Sequence, residues 1–321
     1  MGIDKRFQSV PFYVRKRKEL NMKNINYKGY YFVAPFFLVF LLFNIYPVLL
    51  TFYYTFTKYE GYGSPEFIGL ENYIRVFSDT AFFEAFLNTL KIWGLNFFLQ
   101  MGIALLLAAL FSDLRFRIKG LGFFRAVFYL PNLITISSVA ILFNVMLDWK
   151  YGSINQILLK LGLIAEPINW LNDPVASQVS VSLILTWMWF GHTFIVLMAG
   201  VSGISKEYYE AALIDGANRW QTFVSITLPL LKPILLYVLI TSLIGGLQLF
   251  DLPMLLTDGL GAPEGSLNTM VLYLYNQAFR YNNYGYASTV AYALFLITVI
   301  FSAITFKSMY RDVKATKNGG K

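Results

Sequence analysis

A chain of 321 residues that is 57% hydrophobic, 18% aromatic and only 14% charged carries too little charge for an aqueous globule, where about a quarter of residues are charged. With a mean hydropathy of +0.54 it reads as a polytopic membrane protein whose main solvent is the bilayer. Zero cysteines exclude disulfides, thiolate metal sites and a cysteine nucleophile, and the single histidine, His192, excludes a two-histidine metal motif.

Residues 1–28 form a basic tail with Lys5, Arg6, Arg15, Lys16, Arg17, Lys18, Lys23 and Lys28. The apolar run after it is too long for a signal-peptide core and shows no small-residue cleavage site, so the tail reads as uncleaved and cytosolic. Nucleic-acid binding is the rival reading, but membrane orientation alone accounts for the charge. A membrane domain over 29–309 follows, then a short tail, 310–321. The expected fold is all-α, with six spans long enough to cross about 30 Å of hydrocarbon. They are placed at Tyr30–Tyr53, Phe86–Phe111, Phe123–Leu147, Gln178–Val201, Pro233–Leu256 and Ala287–Lys307. The third is interrupted by Pro131, Asn132 and the Ser137-Ser138 pair, a break that survives only where protein or water covers the freed backbone groups. Between the spans, residues 54–85 carry turn signals and then a helix-like stretch from Leu70 to Phe77, while 148–177 and 258–286 are rich in Gly, Asn, Pro and aromatics. None of these is long enough for a separate folded domain.

Loop charge orients the spans. The two tails, the 112–122 loop with Arg125, and the 202–232 loop hold 20 Lys/Arg; the opposite side holds five, Lys58, Arg75, Lys150, Lys160 and Arg280. Positive-inside logic puts both termini and the 202–232 loop in the cytosol of a multi-pass protein of the cytoplasmic membrane. Within that loop Ser205 is a good N-cap, and Glu207 and Glu210 sit in the first turns, where a helix favours negative charge. Ala211 and Ala212 leave a surface that another backbone can approach closely. Asp215-Gly216 ends the helix, since glycine tolerates the left-handed cap. Asn218 with Gln221 resembles a capping box opening a second short helix, which Leu228-Pro229 breaks before the fifth span. On helix chemistry alone this is an amphipathic connector on the membrane surface.

Two spans carry a candidate pocket. Leu185, Met188, Trp189 and His192 share one face of the fourth span, and Ser242, Gly245 and Gly246 one face of the fifth, with Gln248 adjoining and Asp251 further on. Both sets fall near the middle of the bilayer, where transporters commonly hold substrate. Aromatic rings stack on apolar sugar faces; Gln, Ser and His meet hydroxyls. Each residue also has a plainer explanation: Trp189 as packing, His192 as a satisfied core histidine, the glycine pair as a close helix contact. A carboxylate such as Asp251 near the membrane is usually functional or paired, and either a substrate role or a structural one fits it.

No phosphate-cradling G-x-x-x-x-G-K-[ST] sequence and no catalytic constellation occur, so the chain is not read as an enzyme, binds no cofactor, and draws energy for uphill transport from a partner. The run Glu210-Ala211-Ala212-x-x-x-Gly216, followed after nine residues by Ile226-x-Leu228-Pro229, resembles the signature of the permease subunits of binding-protein-dependent ABC importers. Pro35, Tyr46-Pro47, Gly69-Leu70-Glu71-Asn72-Tyr73, Leu130-Pro131, Phe250-Asp251, Leu256-Thr257 with Gly259, and Tyr284-Gly285-Tyr286-Ala287 look like sugar permeases, closest to the first permease of maltose-type and glycerol-3-phosphate-type systems. The departures are the missing periplasmic insertion of the maltose permease and Gly259-Leu260-Gly261-Ala262-Pro263 in place of Gly-Gly-Pro. The resemblance implies that Glu207, Glu210, Ala211, Ala212, Asp215 and Gly216 form a coupling helix docked on a cytosolic ATPase. It also implies a second permease subunit, two ATPase domains or subunits that bind the ATP, an external solute-binding protein, and a di- or oligosaccharide substrate, with glycerol phosphate or another polyol as the alternative. A membrane-embedded transferase would need converging carboxylates or a His-Asp pair, and a secondary carrier more spans and buried charges.

Overall fold

The computed structural model describes residues 28–111 and 120–318, with side chains for 30–111 and 120–308. The expected charges of the 1–28 tail, those at 112–119, and the side chains of the 310–321 tail lie outside what it describes. Of the described residues, those up to Leu50 form one compact unit and those from Thr51 a second. The first holds α1 (Lys28–Phe40), a wide i→i+5 turn at Leu41–Ile45 and the start of α2 (Tyr46–Tyr54).

The second unit opens with a two-residue ribbon, β1 (Thr57–Lys58) antiparallel to β2 (Glu66–Phe67), with Thr57 facing Phe67. Then come α3 (Glu71–Ser78), α4 (Thr80–Phe111), α5 (Leu121–Leu133), α6 (Ile136–Met146), α7 (Ser153–Lys160) and α8 (Pro174–Ser202). After α9 (Lys206–Ile214) and α10 (Arg219–Thr222), a second wide turn at Phe223–Thr227 leads into α11 (Leu228–Leu230), α12 (Lys232–Leu247) and α13 (Asp251–Leu256). α14 (Met270–Tyr275), a third wide turn at Asn276–Arg280 and α15 (Tyr284–Asn318) complete the described residues.

The all-α expectation holds, and the spans hold with changes. Among the described residues, five helices are long and apolar enough to cross a membrane: Tyr30–Tyr54, Thr80–Phe111, Pro174–Ser202, Lys232–Leu256 and Tyr284–Ser308. The expected third span, Phe123–Leu147, is not one straight helix. α5 and α6 meet at 87°, so the pair is a broken span or a re-entrant loop. Ile134 and Thr135 are extended at the break, and Thr135 accepts the Ser138 N–H to cap α6. The expected fifth span also breaks, at Gln248–Phe250, between α12 and α13. Conversely, Leu228-Pro229 does not interrupt its helix, which runs on to Leu230. The wide turn before Pro229 sends the Leu228 N–H back five residues to Phe223 O. It shifts the carbonyl that a proline ring would otherwise strike. The same device precedes Pro47, where Tyr46 N–H reaches Leu41 O.

α8 is the axis of the second unit. Its most apolar stretch is 61% buried, against 28% for the α12–α13 stretch, 22% for α4 and 17% for α15. Polar residues stitch it to α4: Ser182 Oγ donates to Ile92 O at 3.1 Å, and Thr186 Oγ1 to Asn96 Oδ1 at 3.3 Å. Such side chains serve as interhelical contacts where no water competes. At the other edge, Asp79 binds α3 to α14 and α15. It accepts the hydroxyls of Tyr273 and Tyr286 and the Ala81 N–H, while Arg75 lies 3.8 Å over the Tyr286 ring. Burial pushes the Asp79 carboxyl up, but these hydrogen bonds outweigh it and hold the group below the usual carboxylate range. Burial, and then the Asp79 contact, push the Tyr273 phenol up to about 12.

Candidate functional site

A cavity of about 250 Å³ opens between α4, α8 and α12, and the three helices line it by their periodicity. Trp93, Asn96 and Gln100 on α4 are spaced i, i+3, i+7 and share a face; Leu185, Trp189 and His192 on α8 are spaced i, i+4, i+7. α12 presents Tyr237, Thr241, Ser242, Gly245 and Gly246. The break after α12 then turns Gln248, Phe250 and Asp251 into the same space, so unwound backbone at membrane depth borders a cavity, where it is tolerated.

Eight of the nine expected pocket residues line this cavity: Leu185, Trp189, His192, Ser242, Gly245, Gly246, Gln248 and Asp251. Met188 does not. It is 5% exposed and packs in the apolar cluster with Ile92, Val139 and Leu252. Trp189 stands edge-on to His192 with ring centroids 5.7 Å apart. The two glycines differ. A Cβ at Gly245 would meet nothing within 4 Å, so this position gives room; one at Gly246 would lie 1.9 Å from Trp93 Cδ1. Gly246 is therefore the close helix contact and Gly245 the open wall. Trp93 rests on Gly246 and donates its indole N–H to Ser242 Oγ at 3.2 Å, and Gln100 Nε2 donates to the same oxygen at 3.2 Å.

The sequence reading missed the α4 wall entirely. Its signal was present: Asn96 and Gln100 are buried polar residues in a lipid-length helix, on one face with Trp93. Polar groups there are costly and face a bundle interior or cavity.

The 202–232 loop folds as its caps predict. Ser205 Oγ accepts the Glu207 N–H, α9 ends at Asp215, and Gly216 adopts φ +73° while its N–H returns to Leu213 O at 3.2 Å. Asn218 and Gln221 form a reciprocal capping box at 2.9 and 2.8 Å. Glu207, Glu210, Ala211, Asp215 and Gly216 are exposed. Ala212 is not: at 7% exposure it faces inward beside Tyr209, whose hydroxyl meets Thr227 Oγ1 at 3.1 Å. The two are three residues apart and share the inner face of α9, so Ala212, expected on the docking surface, is covered by the chain itself. The outer side shows Tyr208, Ile214 (87% exposed) and Trp220 (70% exposed).

Residues 100–310 match the family described as the binding-protein-dependent transport system inner membrane component. This chain belongs to that family. It is a multi-pass permease subunit of an importer, and the stretch matched contains both the loop and most of the cavity wall. The permease is 37% identical over 280 residues to the lactose transport system permease protein LacF of Rhizobium radiobacter, covering 87% of this chain and 92% of that one. It is 34% identical over 279 residues to the arabinooligosaccharides transport system permease protein AraP of Bacillus subtilis (strain 168), covering 87% of each chain. In fold it is similar to a chain of a bacterial alginate ABC transporter solved with an alginate pentasaccharide-bound periplasmic protein. The TM-score is 0.78 at 23% identity, over 90% of this chain and 96% of that one.

Proposed function

We propose that this permease carries a neutral di- or oligosaccharide through the α4–α8–α12 cavity by alternating access. The observation that carries the reading is the chemistry of the lining. Trp93, Trp189, Tyr237 and Phe250 offer rings, Asn96, Gln100, Thr241, Ser242 and Gln248 offer neutral hydrogen-bonding groups, and among the described residues the space is lined by one carboxylate, Asp251, and by no lysine or arginine. A phosphate-bearing substrate such as glycerol phosphate calls for a cation, which disfavours the polyol-phosphate alternative. Relatives named for lactose and arabinooligosaccharide transport agree with a sugar cargo.

The permease works with a second, different permease subunit, two ATPase domains or subunits and an external solute-binding protein. It is not itself an enzyme, and ATP is bound by the ATPases. Their closure moves the exposed face of α9 and the Glu207, Glu210, Ala211, Asp215 and Gly216 surface, and each partner must bind one state better than the other to shift the equilibrium. Both termini lie in the cytosol. With no native cysteine, Ser153→Cys should label from outside intact cells with an impermeant thiol reagent and Ala315→Cys should not; the reverse pattern overturns the orientation.

The full assembly reconstituted in proteoliposomes tests the function. Uptake of a neutral oligosaccharide should require ATP and the binding protein together. Uptake that persists without ATP, or a cargo that is consistently anionic, would sink the proposal.

A further inference from the structure

A series of rings leads away from the cavity. Phe250 lines it. The Phe250 ring centroid lies 5.2 Å from that of Tyr275, Tyr275 lies 5.0 Å from Phe279, Phe279 5.8 Å from Tyr284, and Tyr284 6.0 Å from Tyr59. Every step falls within the roughly 4.5–7 Å of direct ring contact. The series also changes depth. Phe250 belongs to the Lys232–Leu256 stretch and Tyr284 opens the last span, while Phe279 and Tyr59 each stand five residues beyond a span end, at Tyr284 and at Tyr54. With both termini in the cytosol, that end is external, on the side of the solute-binding protein. The wide turn that carries Phe279 is fixed from behind. Gln277, 8% exposed, donates from Nε2 to the Tyr273 hydroxyl oxygen at 2.9 Å and accepts at Oε1 from Asn283 Nδ2 at 3.2 Å, and its carbonyl accepts the Asn283 N–H at 2.8 Å. With Gln277 and Ala278 buried, Phe279 is left 60% exposed. Wide turns of this kind recur at functional sites. A phenylalanine held outside the spans with its apolar area unburied adds little to the fold. Nor does it suit a membrane-interface anchor, which uses the polar tip of Trp or Tyr. Tyr275, Tyr284 and Tyr59 are half-buried rather than enclosed.

We propose that Tyr59, Tyr284, Phe279 and Tyr275 form a second sugar-binding surface, outside the cavity, which receives the oligosaccharide released by the solute-binding protein and passes it to Phe250 at the cavity wall. Rings hold the apolar faces of sugar units whatever the pattern of hydroxyls, and units of one chain seated on neighbouring rings hold better than one alone. Sugar kept on the rings reaches the cavity; sugar that leaves them is lost to the outside while the ATP is still spent. The inference rests on the oligosaccharide reading above and adds to it a site on the way in.

The test measures sugar moved per ATP hydrolysed. The complete reconstituted transporter and its binding protein are supplied with radiolabelled neutral oligosaccharides, lactose and short arabinooligosaccharides first. Phe279→Leu keeps the apolar bulk and removes the ring, and the ratio of sugar to ATP should fall by about threefold to tenfold. Phe279→Tyr keeps a ring and should restore it. Tyr275→Leu removes the next ring along and should give the same loss, which serves if Phe279→Leu does not assemble. Wild-type ratios in both leucine variants overturn the proposal, as does a Phe279→Tyr variant as impaired as Phe279→Leu. Transport and hydrolysis that fall in step, leaving the ratio unchanged, overturn it too, because the rings would then be a docking contact for the binding protein. A wild-type transporter that moves no neutral oligosaccharide sinks the sugar reading itself, a result distinct from an unchanged ratio.

Discussion

Ala211→Trp is expected to cut binding-protein-stimulated ATP hydrolysis and transport by more than tenfold while the permease still inserts and assembles with its second subunit. Ala211 is exposed on α9, flanked on the same surface by Glu210 and Ile214, so a large side chain there alters only what a partner meets. A helix seated in a groove tolerates little added volume, because overpacking a filled interface costs about 1–3 kcal/mol. The neighbouring change, Ala212→Trp, has a different expected result. Ala212 is buried beside Tyr209, so tryptophan there disrupts the loop itself, and yield falls along with coupling. Gly216→Val falls between the two. A Cβ at Gly216 meets nothing within 4 Å, but φ of +73° is strained for a β-branched residue by about 1–2 kcal/mol, enough to misplace the start of the second short helix. Co-purification of the ATPase and stimulated hydrolysis, measured side by side, separate the three. Normal coupling by Ala211→Trp would show that the outward face of α9 does not dock.

That contrast marks how far the sequence could be read. Caps are local, a side chain and an N–H two or three residues apart, so Ser205, Gly216 and the Asn218–Gln221 box were legible in the sequence and fold as written. Span composition was legible too, because the bilayer imposes a length and a polarity on every crossing helix. Which face of a helix turns inward is set by its neighbours. The alanine pair looks equivalent in sequence, yet Tyr209 bonding to Thr227 turns Ala212 inward and leaves Ala211 out. Met188 shows the same limit: its spacing matches Trp189 and His192, yet its side chain is buried with Val139 and Leu252 and does not line the cavity. The 87° bend between α5 and α6 was half visible: Pro131 signalled a break, but the angle depends on Thr135 capping a new helix in a new direction. The α4 wall went unread because its polar residues, Asn96 and Gln100, stand singly in a long apolar run.

Gly245→Leu is expected to close the cavity. Gly245 lines the 250 Å³ cavity and a Cβ there meets no atom within 4 Å, so a leucine adds bulk at the cavity wall without striking protein at its root. Sugar transport should fall by more than tenfold with assembly intact, since the change removes room and leaves helix contacts alone. Gly246→Leu serves as the control, because its Cβ would lie 1.9 Å from Trp93 Cδ1. Trp93 must then move, which breaks its bond to Ser242 and loosens α4 from α12, so the yield and melting temperature of the complex should drop as well as transport. Trp189→Ala completes the series. It enlarges the cavity and removes a ring face, which costs about 1 kcal/mol of sugar contact, or roughly fivefold to tenfold in kcat/KM, with no cavity-closing effect. Uptake by reconstituted complexes, together with thermal denaturation of each variant, distinguishes a blocked site from a damaged bundle. If Gly245→Leu transports at the wild-type rate with unaltered sugar preference, the cargo does not pass between α4, α8 and α12, and the site must be sought on another face of the permease.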